Sequence, residues 1–204
     1  MSLPNQIHHL IIMRKNAELG KVKTRLANQI GNEKAFEVYK ELLNYTARIS
    51  KTVLAQRKCY YSSFIENNDM FEDEYFEKLI QKGDDLGDKM YNAAKDSFGQ
   101  WATKVVIIGS DCFDINAGII EEAFNALNQH DVVLGPAEDG GFYLIGMTDL
   151  HSEFFLNREW SHENVLLDTI IQVKEKGLKH YLLPTLSDVD FYEDLPQNIK
   201  DKLD

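Results

Sequence analysis

The chain of 204 residues has only two cysteines, Cys59 and Cys112, and no long apolar run. Two isolated cysteines exclude a disulfide framework and a multi-cysteine zinc site. No apolar stretch approaches the roughly 18 to 20 residues that a membrane span needs. The short apolar run at residues 7–13 is followed rather than preceded by basic residues, which is not the order found in a signal peptide. We therefore expect a cytoplasmic protein without a membrane span.

Basic residues are also scarce, since 22 Lys and Arg face 33 Asp and Glu, for a net charge of -11. Such a field repels nucleic acid and anionic lipid, so we expect no nucleic-acid partner. A small phosphorylated ligand could bind only where local cations or a metal invert the field. No linker rich in Pro, Gly or Ser divides the chain, which predicts one domain over residues 1–204.

Short apolar runs alternate with amphipathic stretches along the chain. Runs typical of buried strands occupy residues 7–13, 58–62, 104–109, 131–135, 142–147 and 179–183. Helical spacing of apolar residues occupies residues 33–53, 116–127 and 162–176. This alternation predicts an α/β fold, a three-layer sandwich around a mostly parallel sheet. The fourth and fifth runs are too close for a helical crossover, so one of them should run antiparallel in a mixed sheet. The acidic segment 66–77 is interpreted as a solvated surface helix.

A basic loop follows the first predicted strand. Five basic residues and Gly20 lie between Arg14 and Leu26, although neither a Walker loop nor a dinucleotide fingerprint is present. Gly20 permits close backbone approach, and Lys23 and Arg25 supply positive charge, so this loop is a candidate phosphate site. The alternative is a solvated basic loop without a ligand.

Carboxylates follow two other predicted strands. Asp111 comes directly after an apolar strand, where it could hold Mg²⁺ or Mn²⁺; alternatively Asp111 or Asp114 caps the helix that begins near residue 116. Asp188 and Asp190 follow the last strand and would point the same way in an extended segment, which could supply a second metal ligand. A helix cap is the alternative there too.

A glycine-rich loop joins the fourth and fifth strands. Glu138 and Asp139 stand beside Gly140 and Gly141, so two acids lie next to backbone with little bulk. Such a loop suits an acceptor hydroxyl that approaches the backbone closely. The alternative is a simple Asp-Gly hairpin turn.

Taken in order, several motifs resemble those of the DUF2064 glycosyltransferase-like proteins, in the nucleotide-diphospho-sugar transferase superfamily with the GT-A fold. The motifs are Gly20-x-Val22-Lys23-Thr24-Arg25-Leu26, Gly83-Asp84-Asp85-Leu86-Gly87, Gly109-Ser110-Asp111-Cys112, Leu134 through Gly146, the Trp160-Ser161 pair, and Asp188-Val189-Asp190. Together they extend over roughly residues 7 to 195.

The resemblance implies a role for each matching position. Phosphate and nucleotide contacts would come from Gly20, Lys23, Arg25, Asp85, Leu86 and Gly87. Asp111 and Asp190 would hold the metal, Asp111 and Asp139 would be catalytic, and the sugar or acceptor would meet Glu138, Gly140, Gly141 and Trp160.

The implied function is metal-dependent transfer of a sugar from a nucleotide-diphosphate donor to a small acceptor, with Mg²⁺ or Mn²⁺ as cofactor. Two alternatives stay open: a nucleotidyltransferase of the guanylyltransferase kind that releases pyrophosphate, and a nucleotide-sugar binding module without turnover. The aromatic segment 64–76 could also cover a partner in a homodimer.

Overall fold

A seven-stranded sheet forms the centre of the protein in the computed structural model, which describes residues 6–160 and 162–203. Ser161, part of one motif above, lies outside these residues. The strands are β1 (His8–Arg14), β2 (Gln56–Tyr61), β3 (Glu77–Ile80), β4 (Lys104–Ile108), β5 (Val132–Pro136), β6 (Phe142–Met147) and β7 (His180–Leu182).

The strand order is β3-β2-β1-β4-β6-β5-β7. Strand β6 runs antiparallel to β4 and β5, and all other neighbouring pairs are parallel. The predicted mixed sheet is therefore confirmed, including the antiparallel strand at the tight connection. Ile12 of β1 lies level with Cys59 on one side and Ile108 on the other, so these three strands end close together.

Helices cover both faces of the sheet. They are α1 (Thr24–Ile30), α2 (Asn32–Lys51), α3 (Leu86–Gly99), α4 (Ala117–Ala126), α5 (Val165–Glu175) and the short α6 (Gln197–Lys200). One core cluster packs α1, α2 and α4 against the sheet, and a second packs α3 and α5 against the opposite face. These are the three predicted layers. Among the residues described, no helix is long and apolar enough to cross a membrane.

The interpretation of residues 66–77 as a solvated surface helix is wrong. The segment is a series of turns leading into β3, and it buries Phe71 and Phe76, whose rings meet edge to face at 5.1 Å. Two of its acids, Glu66 and Asp69, are drawn inward because Arg14 at the end of β1 is fully buried and pairs with both. The exposed aromatic surface available for a dimer is therefore smaller than the sequence suggests.

Candidate active site

The carboxyl ends of the parallel strands bring four loops to one edge of the sheet, as expected for ligand sites in such folds. The loop after β4 meets the segment after β7, where the Val189 N–H donates to the Asp111 carbonyl at 2.8 Å. The loop after β5 meets that segment as well, because the Glu138 N–H donates to the Leu186 carbonyl at 3.1 Å. Residues far apart in the sequence thus form one site.

Lys23 and Asp111 form an ion pair at this edge. Lys23 has a φ of 47° and immediately precedes α1, which turns its side chain toward the loop after β4. Its ammonium lies 2.7 Å from Asp111 Oδ1 and 2.7 Å from the Val189 carbonyl. The Lys23 side chain is 6% exposed and that of Asp111 is 47% exposed. The predicted phosphate lysine and the predicted metal ligand are therefore direct partners.

Arg25, two residues further on in the first turn of α1, forms a second pair with Asp190, with 2.6 Å between Arg25 Nη1 and Asp190 Oδ2. Both side chains are substantially exposed. Asp190 caps no helix; instead the backbone N–H groups of Asp190 and Phe191 donate to Asp194 Oδ2. Asp190 thus lies at the rim of the site, and its role as metal ligand stays a prediction.

Asp188 is the carboxylate that the residue assignments missed. It is partly buried beside Asp111, and within the described chain its carboxylate receives no hydrogen bond. Burial and, next, the charge of Asp111 raise the pKa of Asp188 to about 7, although Lys23 acts in the opposite direction. The alternation Asp188-x-Asp190 was the available signal, but it does not tell which carboxylate lies deeper.

The helix-cap alternative for Asp111 and Asp114 is wrong. Helix α4 is capped by Asn116, whose Oδ1 accepts from the Ile119 N–H at 3.1 Å. Asp111 therefore does not cap α4.

The glycine-rich loop between β5 and β6 is a tight turn. Ala137 N–H donates to the Gly141 carbonyl at 3.0 Å, and Asp139 Oδ1 accepts from the Gly141 N–H at 2.9 Å. Gly140 has a φ of 87°, a conformation that favours glycine. Glu138 and Asp139 are both exposed, and Asp139 lies near enough to influence Asp188. The hairpin alternative is therefore right about the geometry, and it leaves both acids exposed.

Trp160 links the two remaining predicted segments. Asp85 caps α3 by accepting from the Asp88 N–H at 2.8 Å, and Leu86 beside it is exposed. A Cβ added at Gly87 would overlap the Trp160 indole, so this indole packs directly on the start of α3. The Trp160 indole N–H is buried and has no partner among the described residues. A few residues on, the Leu166 N–H donates to the Gly140 carbonyl at 2.9 Å, which ties the same stretch of chain to the glycine-rich loop.

No group of three or more His, Cys, Asp or Glu side chains suited to a metal ion occurs within residues 6–160 and 162–203. Mg²⁺ usually needs fewer protein ligands, because one or two carboxylates, several waters and substrate phosphates complete its octahedron. Asp111 and Asp188 are the two neighbouring carboxylates of the site that could hold such an ion. Their oxygens are the hard ligands that Mg²⁺ and Mn²⁺ prefer.

Comparison with known proteins agrees with this architecture. The model of a family described as uncharacterised proteins conserved in bacteria, DUF2064, matches residues 46–162. A solved protein of Desulfovibrio desulfuricans G20, described as a nucleotide-diphospho-sugar transferase, is 28% identical with a TM-score of 0.84, over 91% of this chain and 83% of that one. No curated protein matches the chain.

More distant solved structures share the fold. A cytidylyltransferase of Leptospira borgpetersenii serovar Hardjo-bovis (strain JB197) is 14% identical with a TM-score of 0.59, over 93% of this chain and 83% of that one. The inositol-1-phosphate CTP transferase of T. maritima is 13% identical with a TM-score of 0.59, over 98% of this chain and 96% of that one. All three similar proteins are named as transferases, in keeping with the enzyme class predicted from the sequence.

Proposed function

The chain belongs to the DUF2064 family, and on that premise we propose that it transfers a sugar from a nucleotide-diphosphate donor to a small acceptor in the presence of Mg²⁺ or Mn²⁺. The observation that carries the proposal is the meeting of Lys23, Asp111 and Asp188 at the carboxyl edge of the sheet. Although the protein has a net charge of -11, Lys23 and Arg25 supply positive charge beside the carboxylates of this site. That combination suits a diphosphate bound with a divalent cation.

Asp111 and Asp188 would hold the cation, with Asp190 at the rim as a further candidate. When bound, the cation would neutralise charge on the departing diphosphate. Lys23 and Arg25 lie on the same side and would bind phosphate oxygens through charge-assisted hydrogen bonds. Gly20, with a φ of 76°, permits the loop before Lys23 to come close to such a ligand.

The acceptor would lie over the glycine-rich loop. Asp139 uses one oxygen to fix its own turn and leaves the other for a proton of the acceptor hydroxyl. Gly140 and Gly141 keep side chains away from that position, and the exposed Glu138 is a second acid there. We assign the general base to Asp139 because its first oxygen is already oriented by the Gly141 N–H.

Nucleotidyl transfer is the second candidate, because cytidylyltransferases share this fold. A direct test incubates the protein with Mn²⁺ and either nucleotide sugars or nucleoside triphosphates, and follows products by mass spectrometry together with pyrophosphate release. Sugar transfer yields a nucleoside diphosphate and no pyrophosphate, whereas nucleotidyl transfer yields pyrophosphate. Binding of a nucleotide sugar without product from any acceptor would favour the binding-module alternative.

Asp111→Asn tests the site itself. We expect it to abolish turnover while the melting temperature of the ligand-free protein changes little, because Asp111 is half exposed. Asp114→Asn is the matched control, since Asp114 is an exposed acid of the same loop and should keep full activity. Full activity of Asp111→Asn would refute the assignment.

A further inference from the structure

The turns after β2 are joined to the loop after β1 by a dense set of hydrogen bonds through Asn16. The Oδ1 atom of buried Asn16 accepts from Ser62 Oγ at 3.1 Å, from the Ser63 N–H at 2.9 Å and from the Phe64 N–H at 3.3 Å. Its Nδ2 donates to the Phe64 carbonyl at 2.7 Å and to Glu66 Oε1 at 3.0 Å. The Asn16 side chain therefore uses nearly its full bonding capacity on this one contact.

Glu66 is the centre of the same contact. Its Oε1 atom accepts three hydrogen bonds, from Arg14 Nη2 at 2.8 Å, from Asn16 Nδ2 at 3.0 Å and from the Ala17 N–H at 2.9 Å. The other oxygen, Oε2, accepts no bond from residues 6–160 or 162–203, and the side chain is 20% exposed. The fully buried Arg14 has a second carboxylate partner, because its Nη1 donates to Asp69 at 2.8 Å. Arg14 thus does not depend on the charge of Glu66 alone.

The backbone that these bonds fix leads directly into the phosphate loop. Tyr39 holds Lys15 from the opposite side, accepting from its N–H at 3.0 Å and donating to its carbonyl at 2.9 Å. Between Ala17 and α1 the backbone makes only local bonds among the described residues, such as Lys21 N–H to the Glu18 carbonyl at 3.0 Å. The Ala17 N–H is therefore the last backbone group of the loop that bonds to the turns after β2.

We propose that Glu66 is a positioning residue for residues 17–23, acting through the reach of its Oε1 atom rather than through its charge. It holds the start of the loop in the geometry that brings Lys23 to the site, so that a phosphate ligand meets a preorganised loop. The ligand in this statement rests on the proposed function. The effect of Glu66 on the order of the loop does not.

Two substitutions distinguish the position of the Glu66 Oε1 atom from the charge of the Glu66 carboxylate. Glu66→Gln keeps an oxygen at the position of Oε1 and loses the charge, whereas Glu66→Asp keeps the charge and shortens the side chain by one methylene. Glu72→Asp is the control, because Glu72 is an acid of the same stretch of chain whose carboxylate bonds only to Lys51 among the described side chains. The measurements are amide hydrogen exchange of residues 17–22 and the Kd of a nucleoside diphosphate with Mn²⁺, taken well below each melting temperature.

We expect Glu66→Asp to speed exchange and to raise the Kd by about tenfold or more, and Glu66→Gln and Glu72→Asp to stay within about threefold of the unmodified protein. The reverse order, with Gln damaging and Asp harmless, would overturn the proposal in favour of a charge role. So would unchanged exchange and Kd in both Glu66 variants. If the unmodified protein binds no nucleotide, the proposed function fails, and the exchange rates of the two variants still decide the positioning role.

Discussion

Ionisation of Asp188 in the ligand-free site should lower the free energy of unfolding by an amount that can be measured. Burial and the neighbouring Asp111 raise the pKa of Asp188 to about 7 from an ordinary value of 3.8. Well below pH 3.8 the group is protonated in both the folded and the unfolded chain and has no effect on their balance. As the pH rises toward 7, the unfolded chain loses this proton first, so ionisation of Asp188 lowers the free energy of unfolding. Above pH 7 the full cost applies.

The size of that cost follows from the shift. A difference of about 3 in pKa corresponds to about 4 kcal/mol, of which roughly half has appeared by pH 5.5. Asp188→Asn keeps the shape of the side chain and removes the ionisation. We therefore expect the variant to be more stable than the unmodified protein by up to about 4 kcal/mol at pH 8 and nearly equal to it at pH 4.

Urea denaturation between pH 4 and pH 9, in the presence of a chelator, measures this difference. Asp190→Asn is the control, because Asp190 is already paired with exposed Arg25 and its removal should change stability by about 1 kcal/mol or less. A difference between Asp188→Asn and the unmodified protein that stays constant over the whole range would refute the reasoning. So would a variant that is less stable at pH 8.

Two further predictions concern the loops of the site. Lys23→Gln should weaken nucleoside diphosphate binding by about tenfold or more, because it removes a charge-assisted hydrogen bond to phosphate. Lys21→Gln is the control: it removes an exposed charge of the same loop and should change the Kd by less than about threefold. Calorimetric titration measures both Kd values, and equal effects would contradict the phosphate assignment. Gly140→Ala should destabilise the protein by about 3 kcal/mol in urea denaturation, because the positive φ strains an alanine and its Cβ would overlap the backbone before α5. Gly177→Ala has the same backbone strain but no atom near the added Cβ, so it should cost about 1 kcal/mol. Similar costs at both sites would contradict a close approach at Gly140.

The parallel core could be predicted because its strands are continuous apolar runs, and burial on both faces demands that pattern. The edge strand β3 could not, since Glu77–Ile80 pairs with β2 on one side only and is largely exposed. Helix α3 was missed for a related reason. Its buried face consists mostly of small residues such as Ala93 and Ala94, so few large apolar residues mark it in the sequence.

Parts of the site were within reach of sequence reasoning because topology alone places the ends of parallel strands together. This brought Lys23 and Asp111 to one edge. The relative burial of the two acids could not be predicted, because Asp188 and Asp190 are the same residue type two positions apart and only the fold decides which is buried. The inward position of Glu66 could not be predicted either, because its partner Arg14 lies 52 residues earlier in the chain.

After burial, excess negative charge in the site is the second cause of the raised pKa of Asp188. The charges of Asp111, Asp139 and Asp190 act on Asp188, and among these four carboxylates Asp111 is paired with Lys23 and Asp190 with Arg25. Two negative charges are left over, and Asp188 relieves part of that excess by holding its proton. One divalent cation carries the charge that would balance the excess. The stability that Asp188→Asn gains at pH 8 should therefore shrink when Mn²⁺ is added, because the ion stabilises the unmodified protein and has less to bind in the variant.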